Sequence, residues 1–207
     1  MDSRQQQDGM NHSVAFFDRQ FREQAAAGPV ALNPFEQRVL PYLSGRVLDY
    51  GCGLGNLAFA AASRGCLVTA LDASPAAIDH IQRRAAAEPL PVTGCLADLR
   101  DHVPADTYDA AVSIGLLMFF DCATARRQLA TLCRAVRPGG IAAVNVLIEG
   151  TSFRAMFDPA EHCLFSRAEV IEAFAGWEVL ETADEDFPAP GETLKRFVTL
   201  VARKPSA

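Results

Sequence analysis

The chain has 207 residues, 50% of them hydrophobic and 21% charged, with a formal net charge of −6. That length suits one domain around a single core and is short for two. The acidic balance disfavours a phosphate backbone as a general partner, since such binding rests on clustered Lys and Arg, and the longest apolar run, Ala110 to Phe120, holds 11 residues where a membrane span needs roughly 20.

Met1 to His12 is polar and lacks the basic flank and apolar stretch of a secretion signal, so it reads as a disordered tail ahead of a single domain over residues 13–207. Ser13 to Leu43 reads as an accessory helical layer, whose Phe16, Phe17 and Phe21 make part of one face greasy. Such a face either packs onto the body of the domain or covers a site.

From Arg46 onward, short apolar runs alternate with helical patterns, the mark of βαβ units around a parallel sheet. Strands are expected at Arg46 to Tyr50, Leu67 to Asp72, Val92 to Leu96, Ala110 to Ile114 and Ile141 to Ile148, apolar enough on both sides to be covered twice. Gly65 closes the first intervening helix, and Ser74-Pro75 opens the second with an N-cap followed by proline at the first helical position. Leu129, Leu132, Cys133 and Val136 form a helical core stripe, which Arg137-Pro138-Gly139-Gly140 stops before the next strand. Ser166 and Glu169 have capping-box spacing for a last helix ending near Gly176, and Trp177 to Thr182 and Leu194 to Ala202 read as a closing antiparallel pair around a loop at Asp186 to Glu192. The expected fold is α/β, a doubly wound, mostly parallel seven-stranded sheet with an antiparallel final hairpin.

Cysteines 52, 66, 95, 122, 133 and 163 contain no C-x-x-C pair, which points to reduced, separately packed thiols in a cytoplasmic protein with no metal site and no disulfide framework.

The chemistry concentrates at Val47-Leu48-Asp49-Tyr50-Gly51-Cys52-Gly53-Leu54-Gly55-Asn56, an apolar strand that turns through glycines into an alanine-rich helix. Glycines there allow a tight turn and close backbone approach, and the helix start offers free N–H groups. Asp72 ends the second strand, where a carboxylate accepts hydrogen bonds from both hydroxyls of a ribose; the bland alternative is a cap on the helix that Ser74 begins. Loop and acid together imply an adenosine-type ligand. The spacing G-x-G-x-G, preceded by Asp49, differs from the G-x-G-x-x-G that meets a dinucleotide's diphosphate.

At this point the residues resemble class I S-adenosylmethionine methyltransferases. Leu48 to Gly55 looks like their first motif and Leu71-Asp72-Ala73-Ser74-Pro75 their second; Ala97-Asp98-Leu99, Tyr108 to Ser113 and Val136 to Gly140 are similar to later blocks in the same order. Leu117 to Asp121 and Arg196 to Lys204 are similar to segments of tellurite-resistance-type methyltransferases, although the loop from Asp186 to Glu192 lacks the histidine and arginine expected there for an oxyanion acceptor.

The resemblance implies that S-adenosylmethionine lies along Asp49, Tyr50, Gly51, Cys52, Gly53, Gly55 and Asn56, then Asp72, Ala73 and Ser74, then Asp98 and Leu99, and finally Ser113 and Ile114. Asp49 would face the amino group of its methionine part and Asp98 the adenine amine. A small-molecule acceptor would sit among Phe17, Phe21, Leu117, Met118, His162 and Arg196, with His162 and Arg196 the only catalytic candidates. A soft nucleophile such as a thiol or chalcogen species needs no strong base, which suits a sequence without an evident catalytic dyad. Two other readings stay open: a nicotinamide-dependent oxidoreductase, and a cofactor-binding protein without chemistry. Oligomeric state leaves no trace in the sequence.

Overall fold

A computed structural model describes residues 12–28, 31–158 and 160–206. The expected disordered tail lies outside the described residues except for His12, which opens the first helix, α1 (His12–Ala27).

The helical layer continues with α2 (Pro34–Val39) and a 3-10 turn at Leu40–Tyr42. Asn33 starts α2 with a complete capping box, its side chain accepting from the Glu36 N–H while Glu36 accepts from the Asn33 N–H, and Pro34 stands where a missing N–H costs nothing. Then β1 (Arg46–Tyr50), α3 (Asn56–Ala62), β2 (Leu67–Asp72), α4 (Pro75–Ala87), β3 (Val92–Leu96) and β4 (Tyr108–Ile114) alternate as anticipated. A 3-10 turn at Leu117–Phe119 leads into α5 (Cys122–Ala135), β5 (Val136–Leu147), α6 (Arg167–Glu172), β6 (Glu178–Ala189) and β7 (Thr193–Arg203). Ser74 caps α4 by accepting from the Ala77 N–H, and Ser166 with Glu169 forms the capping box of α6.

The seven strands make one sheet in the order β3-β2-β1-β4-β5-β7-β6. All pair in parallel except β7, which runs antiparallel to β5 and β6. Side-chain alternation sends Val47, Val68, Ala110, Val112 and Ala143 to one face, with Leu57, Phe59, Ile78 and Ile81 of α3 and α4. It sends Leu48, Tyr50, Leu71, Ala111 and Val144 to the other, with Leu129 and Leu132 of α5 and Val170 of α6. Two cores back to back explain why these strands read as nearly continuous apolar runs. Among the described residues, no helix is long and apolar enough to cross a membrane.

Three expectations need correction. Arg137 to Gly140 does not separate helix from strand: it is a bulge inside β5, since Tyr108 pairs with Val136 and Ala110 already pairs with Ile141. The loop expected at Asp186 to Glu192 is mostly strand, because Asp186, Phe187, Pro188 and Ala189 pair with Arg196, Lys195, Leu194 and Thr193; Pro188 is tolerated because β6 is the sheet edge. Finally, Cys122 and Cys163 are joined by a disulfide, not separate thiols. The segment after β5 folds back so that the Cys163 N–H bonds the Met118 carbonyl, which brings Cys163 beside the first turn of α5. Spacing cannot announce a pair 41 residues apart, and with it the cysteine argument for a cytoplasmic setting falls.

Candidate active site

β1 and β2 end side by side, with Tyr50 paired to Leu71, so the glycine turn after β1 lies next to Asp72. The N–H groups of Gly51 and Cys52 both bond the Leu71 carbonyl, at 2.9 and 3.0 Å. The Gly53 N–H donates to Asp72 Oδ2 and the Ser74 N–H to Asp72 Oδ1, each at 2.8 Å. Asp72 thus ties the turn to the start of α4 and keeps further lone pairs on both oxygens. Gly53 has φ 51° and a Cβ there would lie 3.1 Å from Phe21 Cζ; Gly55 has φ 75° and a Cβ would lie 2.9 Å from Ile81 Cγ1. Both positions require glycine for backbone and for room.

A cavity of about 390 Å³ opens at this end of the sheet, within the range of small-molecule sites. Asp49, Gly51, Cys52, Gly53, Asn56, Asp72 and Ala73 form one wall, Asp98, Leu99 and Arg100 a second, and Ile114 to Leu116 with Phe119 and Phe120 a third. The helical layer closes the fourth side through Phe17, Phe21, Asn33 and Glu36, among others. α1 is held there by Asp18, which accepts from Ser74 Oγ at 2.7 Å and the Ala76 N–H at 2.9 Å and pairs with Arg22. Phe17 meets Phe119 edge to face at 4.8 Å.

Asp49 is only 4% exposed, and its Oδ2 has no hydrogen-bond partner. Burial, reinforced by the charges of Glu36 and Asp72, pushes its carboxyl up to about 8. Burial also raises Asp72, against the bonds from the Ser74 and Gly53 N–H groups that favour its charged form. Glu36 is raised by burial in the same way, against its bond from the Asn33 N–H. Asp98 is lowered by Arg100, whose guanidinium bonds both of its oxygens.

Several residues anticipated for the site do not reach the cavity. Tyr50 faces the opposite side of the sheet, with its hydroxyl near the carbonyls of Leu99 and His102 and Oε1 of Gln128. Gln128 Nε2 donates to the Arg100 carbonyl at 2.6 Å, so Tyr50 and Gln128 brace the loop that carries Asp98 and Arg100 from behind. Ser74 is occupied as a helix cap, Gly55 lies under α4, and Ser113 is fully buried in β4 with its Oγ unpartnered. Leu117 and Met118 are core: the 3-10 turn rotates them inward and presents Leu116, Phe119 and Phe120 instead.

His162 stacks on Phe157, its Nδ1 near the Asp158 carbonyl and its Nε2 near Arg154, and Arg196 pairs with Asp186 on the β6–β7 hairpin. Neither lines the cavity, which removes both catalytic candidates. Sequence reasoning missed Glu36, Arg100, Phe119 and Phe120, while Leu116 lies within the stretch Ser113 to Met118 expected to line the cleft. Only Glu36 left a signal, the capping-box spacing Asn33-Pro34-Phe35-Glu36.

Residues 47–140 match the family described as methyltransferase domain. The malonyl-[acyl-carrier protein] O-methyltransferase of Salmonella typhimurium is 34% identical over 152 residues, covering 67% of this chain and 58% of that protein. The chain spans little more than half the length of the curated relatives that it matches first. Among solved structures, TehB from Haemophilus influenzae superposes with a TM-score of 0.74 at 20% identity, over 93% of this chain and 67% of that one. The N-methyltransferase NodS from Bradyrhizobium japonicum WM9, in complex with S-adenosyl-L-homocysteine, gives 0.70 at 17% identity, over 95% and 100%.

Proposed function

We propose that the chain is an S-adenosylmethionine-dependent methyltransferase acting on a small molecule, a reading supported by the match of residues 47–140 to the methyltransferase domain family and by the fold shared with TehB. One observation carries the reading: a buried, unpartnered carboxylate oxygen, Asp49 Oδ2, on the wall of the cavity that also holds Asp72 and the glycine turn. A buried acid without a partner is costly unless a cation meets it. The amino group of a methionine moiety is such a cation, and Asp72 is placed to accept from ribose hydroxyls while Gly53 permits close approach.

Bound there, S-adenosylmethionine supplies a methyl group on a sulfonium, already electrophilic. The work left to the protein is positional. Asp49, Asp72 and the loop of Asp98 to Arg100 hold the donor at three separated points. Phe17, Phe21, Leu116, Phe119 and Phe120 exclude water from the acceptor side, so an acceptor atom held in line avoids solvent reorganisation, an effect worth roughly 7–11 kcal/mol.

The relatives' names carry both an O- and an N-methyltransferase, so the acceptor has to be argued from this cavity. Nothing in the comparisons supports the nicotinamide-dependent alternative. The thiol or chalcogen expectation weakens here: a thiolate or chalcogen oxyanion would enter a chamber where Arg196 is out of reach and Arg100 is engaged by Asp98.

Calorimetry with S-adenosylhomocysteine, the demethylated product, tests the reading. The parent chain binds it, and Asp72→Ala loses at least about a hundredfold in affinity, as expected for two charge-assisted bonds. Equal affinity in both would refute the assignment.

A further inference from the structure

The charge balance of the cavity is one-sided. Among the described residues that line it, the acids are Glu36, Asp49, Asp72 and Asp98, and the sole cation is Arg100. Arg100 is committed to Asp98 through bonds of 2.6 and 3.0 Å. Asp72 is satisfied by two backbone N–H groups. Asp49, with its orphaned Oδ2, and Glu36 are left without a neutralising side chain, and the charge of Glu36 is one cause of the upward push on Asp49, so the two carboxylates face one space. Arg38, two residues beyond Glu36, turns away and pairs with Glu181 and Glu185 on β6.

Glu36 itself is half used. Its Oε2 accepts the Asn33 N–H at 2.7 Å, no bond engages Oε1, and the residue lines the cavity. Phe17, Phe21, Phe119 and Phe120 line the same chamber from α1 and from the turn after β4. With the donor's ammonium group on Asp49, an anionic acceptor would still meet the Glu36 carboxylate in a partly desolvated space. A cation next to aromatic rings meets attraction from both.

Resting on the methyl-transfer reading above, we infer that the acceptor is an alkylamine attached to an aromatic or flat apolar group, and that Glu36 binds its ammonium group through Oε1 and removes a proton before methylation. The step balances without a further reactant. An N–H bond of the ammonium breaks and its proton passes to Glu36. The freed nitrogen lone pair forms the N–CH3 bond as the carbon–sulfur bond breaks, and that electron pair stays on sulfur as a thioether. The product leaves as the methylated ammonium, and Glu36 returns its proton to water. The upward shift that burial gives Glu36 favours this role, since a base works best when its own affinity for a proton approaches the working pH.

The test compares three probes of one shape and different charge: benzylamine, benzyl alcohol and benzoate. Each is titrated by ligand-observed NMR into the full chain saturated with S-adenosylhomocysteine at pH 7. Benzylamine should bind roughly tenfold more tightly than benzyl alcohol, the worth of one charge-assisted contact, with benzoate weakest. Glu36→Gln preserves the capping-box geometry, because glutamine serves at that position too. It should bring the amine-to-alcohol ratio to near one, with affinity for S-adenosylhomocysteine within about twofold of the parent.

Benzoate binding as well as benzylamine would overturn the proposal, as would an undiminished amine preference in Glu36→Gln. A large loss of S-adenosylhomocysteine affinity in that variant would assign Glu36 to the donor and overturn it as well. If the parent chain does not bind S-adenosylhomocysteine, the methyl-transfer reading fails and the acceptor proposal with it, a result distinct from the others.

Discussion

Asp49→Asn tests the cofactor reading through pH. In the folded chain the carboxyl titrates at about 8 against an ordinary 3.8, because burial disfavours its charge. The folded state therefore holds the proton more tightly, and the stability this group lends is complete below pH 3.8 and is lost as pH rises toward 8. The slope is about 1.36 kcal/mol per pH unit, on the order of 4 kcal/mol by pH 7. Asparagine cannot ionise, so the variant escapes that loss, against about 1–3 kcal/mol for a buried amide without partners.

Urea unfolding of parent and variant from pH 4.5 to 8.5 reads the difference directly: the variant is the less stable at the acidic end and the more stable above neutrality. Binding mirrors this. A ligand ammonium favours ionised Asp49, so the affinity of the parent for S-adenosylhomocysteine rises roughly 50-fold from pH 6 to 8 as a proton is released, while the variant binds weakly and without that slope. A stability difference independent of pH, or a parent affinity flat across this range, would refute the argument that Asp49 is an uncompensated acid waiting for a cation.

Breaking the Asp18 contacts with Ser74 Oγ and the Ala76 N–H, by Asp18→Ala, should free α1 from α4. Its amides then exchange hydrogen faster by roughly tenfold or more, consistent with the loss of charge-assisted bonds, while the exchange of β1 and β4 is unchanged. Gly53→Ala forces a left-handed φ of 51° and pushes a methyl group toward Phe21, so it should cost about 1–2 kcal/mol in denaturant unfolding. Reduction of Cys122–Cys163, which closes a loop between positions 41 apart, should lower the Tm by roughly 5–10 °C, the consequence of about 2–4 kcal/mol of lost constraint. A Cys122→Ser, Cys163→Ser double variant showing the parent's Tm would contradict this.

The βαβ alternation, the glycine turn, the position of Asp72 and the caps at Ser74 and Ser166 were all legible because each rests on residues near one another in the chain. Periodicity reports which face of an element is buried, and a turn that needs glycine announces it locally. What escaped was lateral. Residues 117 and 118 belonged to the right segment, yet a 3-10 turn swung them into the core and gave the wall to Leu116, Phe119 and Phe120. His162 and Arg196 were plausible by residue type, and nothing in the sequence said that stacking on Phe157 and pairing with Asp186 would hold them elsewhere.

The division has one physical cause. Hydrogen-bonding geometry and hydrophobic period act over a few residues, so composition and spacing alone determined the strand and helix segments, the doubly wound class and the glycine turn beside Asp72. Desolvation and charge act through space, between groups that the chain brings together from far apart. Only the folded protein decided that Glu36 of the helical layer would confront Asp49 of β1, that Arg100 would be spent on Asp98, and that Cys122 would meet Cys163.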